Sequence, residues 1–233
     1  MTRPGENVST SDSAALPGWL ANLAAGAARM PVPPELRPPA GGGRQSAILI
    51  LFGATETAGP DVLLVQRSQS LRRHAGQPAF PGGVIDPGDD GPAGAALREA
   101  GEETGVKPDG VDIVGVLPDL YIPRSGFQVS PVLAWWREPG PVAPGDPAEI
   151  ASVARVPVAE LADPANRLMI RYPNGGAGPA FRAGAMLIWG FTAFVIAALL
   201  RLGGWELPWD TGRVADLAEG EQLTGIDIPI QAS

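Results

Sequence analysis

The sequence predicts an α+β fold, and three observations support this prediction. The chain has 233 residues, of which 45% are hydrophobic, which is enough to bury a sizeable core. Several short β-rich runs are separated by Gly- and Pro-containing turns, as expected of strands joined by hairpins and loops. Two segments have helical character instead, one beginning near Pro92 and one ending near Arg201. Strands mixed with two principal helices define the α+β class.

Composition and charge exclude several functional classes. The net charge of −8 argues against nucleic acid as a partner, because phosphate backbones normally require a basic face. The chain has no Cys, so neither a disulfide scaffold nor thiol chemistry is expected. The N-terminus has no basic segment followed by an apolar core, so a cytoplasmic enzyme without a signal peptide is the default expectation.

Residues 1–43 are predicted to form an N-terminal extension. Residues 1–13 are polar and expected to be disordered, whereas 17–30 are predicted to form a short Ala-rich helix. The expected apolar contacts of that helix are Trp19, Leu20 and Leu23. The Pro- and Gly-rich segment 31–44 is either an extended linker or a strap along the domain surface, and the sequence leaves both open.

The main domain is predicted over residues 44–210, with a C-terminal tail over 211–233. A continuous apolar run at 46–52 predicts a buried strand, and the strand at 61–67 would complete a hairpin with it. The other expected elements are strands at 111–117, 129–136 and 150–158, a helical turn at 158–161, and loops at 118–126 and 139–147.

The run 183–200 carries no charge over 18 residues, which reaches the threshold for a membrane-spanning helix. We favour a strand that stops at Gly190, followed by a buried helix from Thr192 to Arg201, because the residue pattern fits these two elements. In addition, no basic clusters flank the run to orient a membrane span. The protein is therefore expected to be soluble without detergent and to have no membrane partner.

The most informative stretch of the chain is 80–106. Pro92 and Gly105 bracket a predicted helix, at the entry and C′ positions that these residues favour. Its acidic residues are Glu99, Glu102 and Glu103. Their spacing places them on one face near the C-terminal end, where like charges repel and the helix dipole disfavours anions. A hard divalent cation with oxygen ligands would relieve this repulsion, whereas a solvated acidic helix end is the alternative interpretation.

The residues that precede this helix favour the metal site. Gly82–Gly83 is followed by Asp89 and then by the helix, in a pattern that resembles the Nudix box, G-x5-E-x7-R-E-U-x-E-E-x-G-U with U aliphatic. Asp89 stands where the family usually has Glu, eight residues rather than seven separate it from Arg98, and Ala100 is small for an aliphatic position. The resemblance implies an α/β/α sandwich with a mixed sheet and a catalytic loop–helix element.

A basic group precedes the box. The strand at 61–67 ends at Arg67, and a loop then presents Arg72, Arg73 and His74. Planar guanidinium groups suit phosphate oxygens, with a metal on the other side of the same phosphate. The alternative is a generic basic loop that neutralises the acidic helix, and His74, the only His of the chain, is by itself more typical of a loop residue than of a ligand.

This segment is similar to the element L-L-T-x-R-S-(about four)-R-x3-G-x3-F-P-G-G of Nudix enzymes that cleave coenzyme A. The chain has LLVQRS at 63–68, then Arg72, Gly76 and FPGG at 80–83, with only Val65 departing from the pattern. Asp89 and its longer spacing are also similar to that subfamily's box, as is IWGFTA at 188–193. The matches span residues 47–200.

The resemblance implies hydrolysis of the diphosphate of coenzyme A, and of acyl-CoA by extension, to 3′,5′-ADP and 4′-phosphopantetheine, with Mg²⁺ or Mn²⁺ as cofactor. It implies that Glu99 and Glu103 are the principal metal ligands, and that Glu102 is either a further ligand or the catalytic base. The other implied catalytic residues are Arg98 and Glu149, and the implied substrate-binding residues are Arg67, Arg72, Phe80, Gly82 and Gly83. Whether the protein forms a homodimer stays open.

Two other functions stay open from the sequence. The same site could act on another nucleoside diphosphate derivative, such as ADP-ribose or NADH, although Arg67, Arg72 and 76–83 argue against this. The chain could also be a Nudix-like sensor that binds a nucleotide without cleaving it. The intact trio of carboxylates argues against a sensor, because a protein that only binds has no need of this repulsive cluster.

Overall fold

The fold is described from a computed structural model, which covers residues 16–55, 59–71, 74–172, 175–217 and 223–224. The predicted disorder of residues 1–13 therefore lies outside the described residues, as do Arg72 and Arg73. The helices are α1 (Gly18–Ala27), α2 (Gly91–Thr104), α3 (Val158–Ala162) and α4 (Gly190–Leu202). The strands are β1 (Arg44–Thr55), β2 (Gly59–Arg67), β3 (Pro78–Ala79), β4 (Gly82–Val84), β5 (Val111–Val116), β6 (Leu120–Ile122), β7 (Phe127–Trp136), β8 (Ile150–Pro157), β9 (Arg167–Arg171), β10 (Ala177–Ala183), β11 (Met186–Ile188), β12 (Val214–Leu217) and β13 (Leu223–Thr224).

The larger sheet has the strand order β3-β2-β1-β7-β5, and the strands β4, β6 and β8 pair with β1, β7 and β2 respectively. β1 and β2 are antiparallel and form the predicted hairpin. β1 and β7 are parallel, with Ser46 opposite Val129 and Phe52 opposite Trp135. The sheet is therefore mixed, as predicted.

Helices cover both faces of this sheet. Side chains alternate along β1, so that Leu49 and Leu51 pack with Ala96 of α2, whereas Ile50 and Phe52 belong to the core shared with α1 and α4. All four of these β1 side chains are at most 2% exposed. The three layers give the predicted α/β/α sandwich, and the fold class is α+β.

The long apolar run is divided as predicted between a strand and a buried helix. β11 ends at Ile188, and α4 begins at Gly190, two residues before the predicted start at Thr192. Gly190 has φ 67°, a left-handed conformation that glycine adopts without steric cost. Within the part of the chain that the structure describes, no helix combines the length and apolar character needed to cross a membrane.

The predicted loop at 118–126 is wrong in its centre. Residues Leu120–Ile122 form β6, which pairs antiparallel with β7. Leu120 is only 8% exposed and joins the core with α1 and α4. A strand of three residues between Pro118 and Gly126 is too short to show a period of two, so the sequence pattern could not reveal it.

The N-terminal segment lies against the domain. Leu20 and Leu23 of α1 are fully buried, as the sequence predicted for these apolar contacts. Val32 and Leu36 also pack against the core, which favours the strap over the free linker for 31–44. At the other end of the chain, β12 pairs in parallel with β9 and joins a second, smaller sheet of order β11-β10-β9-β12-β13.

One buried arginine joins this second sheet to the segment after α4. Arg167 at the start of β9 is 1% exposed and makes an ion pair of 2.9 Å with Glu206. Its guanidinium also lies over two aromatic rings, 4.3 Å from the centroid of Trp209 and 5.2 Å from that of Phe181. A charge this deeply buried requires such partners.

Candidate functional site

The predicted helix of the box is α2, and its carboxylates face the glycine pair of β4. Gly105 follows the helix with φ 75°, the left-handed C-terminal cap that the sequence predicted. The backbone N–H of Gly82 donates a hydrogen bond of 3.0 Å to Oε2 of Glu103. A Cβ atom at Gly83 would overlap the carboxylate of Glu99, so only glycine allows this close approach.

Arg98 is the cation that holds the acidic face together. Its Nε and Nη2 donate to the two carboxylate oxygens of Asp89 at 2.9 and 3.0 Å, a bidentate pair that lowers the pKa of Asp89. Its Nη1 donates to Glu99 at 2.9 Å and to Glu102 at 3.3 Å. A further bond of 3.1 Å to the carbonyl of Val84 links the guanidinium to β4. Arg98 therefore contacts Glu102, the carboxylate that the sequence assigned to it, although Asp89 and Glu99 are its closer partners.

Glu103 lies in a strongly perturbed environment. Burial raises the pKa of Glu103 to about 7, and the nearby carboxylates of Glu99 and Glu149 add to this rise. The hydrogen bond from Gly82 and the charge of Arg67 act in the opposite direction. These five residues therefore interact in one place, although Arg67 and Glu149 come from elements far from α2 in the sequence.

The three carboxylates of the helix are not equivalent. The side chain of Glu102 is 62% exposed, compared with 19% for Glu99. Within the described ranges, no three acidic or His side chains come close enough to form a ready-made metal centre. The structure therefore brings Glu99 and Glu103 together against β4 and leaves Glu102 at the solvent edge on Arg98.

The chemistry of this pair nevertheless fits a divalent cation. Glu99 and Glu103 supply carboxylate oxygens, the ligands that Mg²⁺ and Mn²⁺ prefer. A cation between them would offset the repulsion between the carboxylates, which adds to the effect of burial in raising the pKa of Glu103. Because Gly83 has no Cβ, no side chain at that position overlaps the carboxylate of Glu99.

A cleft of about 460 Å³ lies beside the two glycines. Gly82 and Gly83 line it, so these residues contact both the cleft and the carboxylates. One part of its wall is basic and polar and is formed by Arg67, His74 and Gln77. Another part is aromatic and aliphatic and is formed by Ile122, Phe127, Trp189 and Phe191, with Arg124 beside them. The volume is that of a pocket for a molecule of nucleotide size.

Arg67 reaches the cleft from the end of β2, as the sequence predicted for the end of that strand. Its Nε is buried and has no hydrogen-bond partner among the described residues. Such an unsatisfied donor is costly unless a ligand or water completes it. Phe80, another predicted binding residue, lines the cleft but is 3% exposed and belongs mainly to the core.

The proline-rich loop places Glu149 near the carboxylate helix. The N–H of Gly145 donates to the carbonyl of Glu103 at 3.0 Å, and that of Ala143 donates to Thr104 at 3.1 Å. The carbonyl of Glu149 accepts from Ser68, just after Arg67, at 2.7 Å. The loop therefore satisfies carbonyls at the end of α2 and also fixes the chain after β2.

The start of α4 also lies at the site, which was not predicted from the sequence. Trp189, Phe191 and Thr192 line the cleft, and Thr192 donates a hydrogen bond of 3.1 Å to the carbonyl of Pro78 in β3. The IWGFTA motif was a signal for this segment, but only tertiary packing brings it beside β4. Arg72 is a predicted binding residue that lies outside the described part of the chain.

The structure is thus an α/β/α sandwich in which the glycine strand β4 lies between a carboxylate helix and a basic and aromatic cleft. This is the architecture that the Nudix box implied. Residues 43–173, more than half of the chain, match the NUDIX domain. The chain belongs to the Nudix family.

The chain resembles several relatives in sequence. It is 43% identical over 122 residues to an uncharacterized Nudix hydrolase NudL of Citrobacter koseri, a match that covers 50% of this chain and 59% of the relative. A NudL of Pectobacterium atrosepticum is 47% identical over 105 residues, covering 45% of this chain and 53% of the relative. The chain therefore spans less than two thirds of the length of these curated relatives.

Solved structures with similar folds share less of the sequence. A MutT/nudix family protein from Enterococcus faecalis is 17% identical, with a TM-score of 0.48, covering 74% of this chain and 64% of that chain. The NUDIX domain of Shewanella oneidensis NrtR, solved in complex with ADP ribose, is 23% identical with a TM-score of 0.42, covering 50% and 74% respectively.

Proposed function

We propose that the chain is a metal-dependent Nudix hydrolase that cleaves the diphosphate of coenzyme A to 3′,5′-ADP and 4′-phosphopantetheine. The observation that carries this proposal is the cleft beside Gly82–Gly83. It brings Arg67, from the segment that resembles CoA-cleaving Nudix enzymes, next to the carboxylates of the Nudix helix. A cationic guanidinium and a carboxylate pair facing one cleft fit a diphosphate held between arginine and a metal.

Glu99 and Glu103 are the proposed ligands of Mg²⁺ or Mn²⁺. A bound divalent cation supplies positive charge that polarises the phosphoryl oxygens and activates the attacking water. Arg98 holds Glu99 in position through its bond of 2.9 Å, and Gly82 orients Glu103 through its N–H. These contacts fix both carboxylates before substrate arrives, which reduces the reorganisation needed in the reaction.

The proposed reaction attaches the oxygen of water to one phosphorus and breaks the bond from that phosphorus to the bridging oxygen. A carboxylate must accept a proton from the water. Glu102 and Glu149 are the two proposed candidates for this general base, because both are exposed at the edge of the site. Glu149 interacts electrostatically with Glu103, whereas Glu102 is hydrogen-bonded to Arg98, so Glu149 is less constrained by a cation.

The remaining proposed roles concern the substrate. Arg67 contacts the diphosphate oxygens, and Gly82 and Gly83 let the substrate approach the backbone closely. The aromatic part of the cleft, at Phe127 and Phe191, offers apolar area to the nucleoside or to the pantetheine arm. Phe80 supports the cleft from the core side.

Turnover on a substrate panel tests this proposal. CoA, octanoyl-CoA, NADH and ADP-ribose would be incubated with the protein and Mg²⁺ or Mn²⁺, and the products identified by mass spectrometry. We expect kcat/KM to be highest for CoA or its thioester, 3′,5′-ADP to be released, and activity to vanish with EDTA. Faster cleavage of NADH or ADP-ribose than of CoA would contradict the proposed substrate, and activity that survives EDTA would contradict the metal dependence.

A further inference from the structure

The turn that precedes β3 is fastened tightly to the end of β2. Arg67 donates its backbone N–H to the carbonyl of Gln77 at 3.0 Å, and its carbonyl accepts from Gly76 at 3.1 Å. The side chain of Gln66 donates to the carbonyl of Gly76 at 3.3 Å. His74 begins this turn, because its carbonyl accepts from the N–H of Gln77 at 3.2 Å. The turn therefore has a fixed position beside Arg67.

The backbone of His74 is strained. Its φ is 57°, and it is the one residue other than glycine with a positive φ among those that the structure describes. Such a left-handed conformation is unfavourable for a non-glycine residue, and it persists where the surrounding contacts impose it. Glycine would adopt this conformation without strain, so the imidazole itself is a candidate reason for keeping His at this position.

The imidazole ring is also held in one orientation. Its Nδ1 lies 2.9 Å from Oε1 of Gln77. Because a carboxamide oxygen can only accept, Nδ1 carries the hydrogen of this bond, and Nε2 is the nitrogen left for another partner. His74 lines the cleft together with Arg67 and the glycine pair. A protonated Nε2 would offer an oxyanion a charge-assisted hydrogen bond.

We propose that His74 binds a phosphate monoester of the substrate, the 3′-phosphate of coenzyme A, next to the diphosphate held by Arg67. This inference rests on the proposed function. Arg67 lines the same cleft as Gly82 and Gly83, the two glycines that contact the proposed metal ligands, so the proposed function assigns Arg67 to the diphosphate. His74 supplies a second, separate donor in the adjoining turn, and coenzyme A carries a second anionic group that ADP-ribose and NADH lack. In this proposal His74 is a specificity-determining residue, whereas the sequence alone favoured an ordinary loop residue.

Two substitutions distinguish the contribution of the imidazole ring of His74 from that of its strained backbone. His74→Asn keeps a residue that tolerates the left-handed backbone but removes the imidazole, and His74→Gly removes both the imidazole and the strain. Lys107→Ala is the matched control, because it removes an exposed cation that does not line the cleft. Binding of 3′,5′-ADP and of 5′-AMP would be measured by calorimetry, the unfolding midpoint by fluorescence, and kcat/KM with CoA and dephospho-CoA.

We expect both His74 variants to bind 3′,5′-ADP about ten- to a hundredfold more weakly, the effect of one lost charge-assisted hydrogen bond. The affinity for 5′-AMP should be the same as that of the wild type. The unfolding midpoint of His74→Gly should equal or exceed that of the wild type. With CoA the loss should appear mainly in KM, and the preference for CoA over dephospho-CoA should shrink. The control should match the wild type throughout.

Wild-type affinity for 3′,5′-ADP in both variants would overturn the inference, and so would an equal loss for 5′-AMP, which would assign His74 to the phosphate that both nucleotides share. A lower unfolding midpoint of His74→Gly would show that the ring is retained for stability. The proposed function fails separately, if the wild type does not cleave CoA. A wild type that cleaves CoA but does not prefer 3′,5′-ADP to 5′-AMP would refute the inference about His74 alone.

Discussion

When no metal is bound, the charged form of Glu103 destabilises the folded protein, and replacing Glu103 by Gln removes that charge. Burial and the neighbouring carboxylates raise the pKa of Glu103 from its usual 4.5 to about 7. That difference corresponds to about 3 kcal/mol against the charged form, and the partial exposure of the residue reduces the measurable part to about 1–3 kcal/mol. Gln has the same shape and can still accept the hydrogen bond of 3.0 Å from Gly82.

The sign of the effect depends on pH. Below pH 4.5 the carboxyl is protonated in both the folded and the unfolded state, so it does not favour either. Between that pH and about 7 the folded state holds the proton more tightly, so stability falls as the pH rises. Without metal, Glu103→Gln should therefore resemble the wild type at pH 4.5 and unfold about 2–10 °C higher at pH 8. Mg²⁺ should stabilise the wild type more than the variant.

Thermal unfolding in EDTA and in Mg²⁺ at both pH values tests this prediction, together with turnover of CoA. Glu35→Gln is the control, because it removes an exposed carboxylate outside the site. We expect Glu103→Gln to lower kcat by at least about a hundredfold, the scale of a lost electrostatic element. If the variant is no more stable than the wild type at pH 8 in EDTA, the account of a buried and repelled carboxylate is wrong. Near wild-type turnover would remove Glu103 from the site.

Three further predictions concern other parts of the structure. Gly83→Ala should lower kcat/KM at least about tenfold by displacing the adjoining carboxylate, whereas Gly88→Ala, where a Cβ meets nothing within 4 Å, should retain the wild-type value. Arg98→Lys should lower kcat about ten- to a hundredfold, because an ammonium cannot hold two carboxylates as the planar guanidinium does; unchanged kinetics would refute this positioning role. Arg167→Met should lower the free energy of unfolding in urea by about 1–3 kcal/mol, compared with less than about 1 kcal/mol for the exposed pair at Arg171→Met, and equal losses would contradict the burial argument.

The sequence predicted those elements whose limits are set by local chemistry. α2 was predictable because Pro92 and Gly105 mark its ends. In the structure, Pro92 lies in the first turn of the helix and Gly105 directly follows its last residue. The β1–β2 hairpin was predictable because two apolar runs flank a turn. β6 was not, because its three residues owe their conformation to pairing with β7 rather than to a pattern of their own.

The candidate site was predictable only in part. The spacing of Glu99 and Glu103 within one helix was sufficient to place them together. No local pattern could show that Glu102 would turn to solvent, because that depends on Arg98 and its other partners. The aromatic wall at Phe127 and Trp189 was also beyond prediction, since strands and helices remote in sequence bring these residues to one cleft.

The packing of α1 creates a cluster of aromatic rings that should have a characteristic circular dichroism signal. Trp19 lies edge-on to Phe52, Trp135 and Trp205, with ring centroids 5.4, 6.1 and 5.1 Å apart. Indole rings this close and nearly perpendicular should couple their electronic transitions and produce a distinct near-ultraviolet circular dichroism band. None of these rings lines the cleft beside β4. Loss of that band during heating or protease treatment would report release of the N-terminal helix, independently of any signal from the nucleotide cleft.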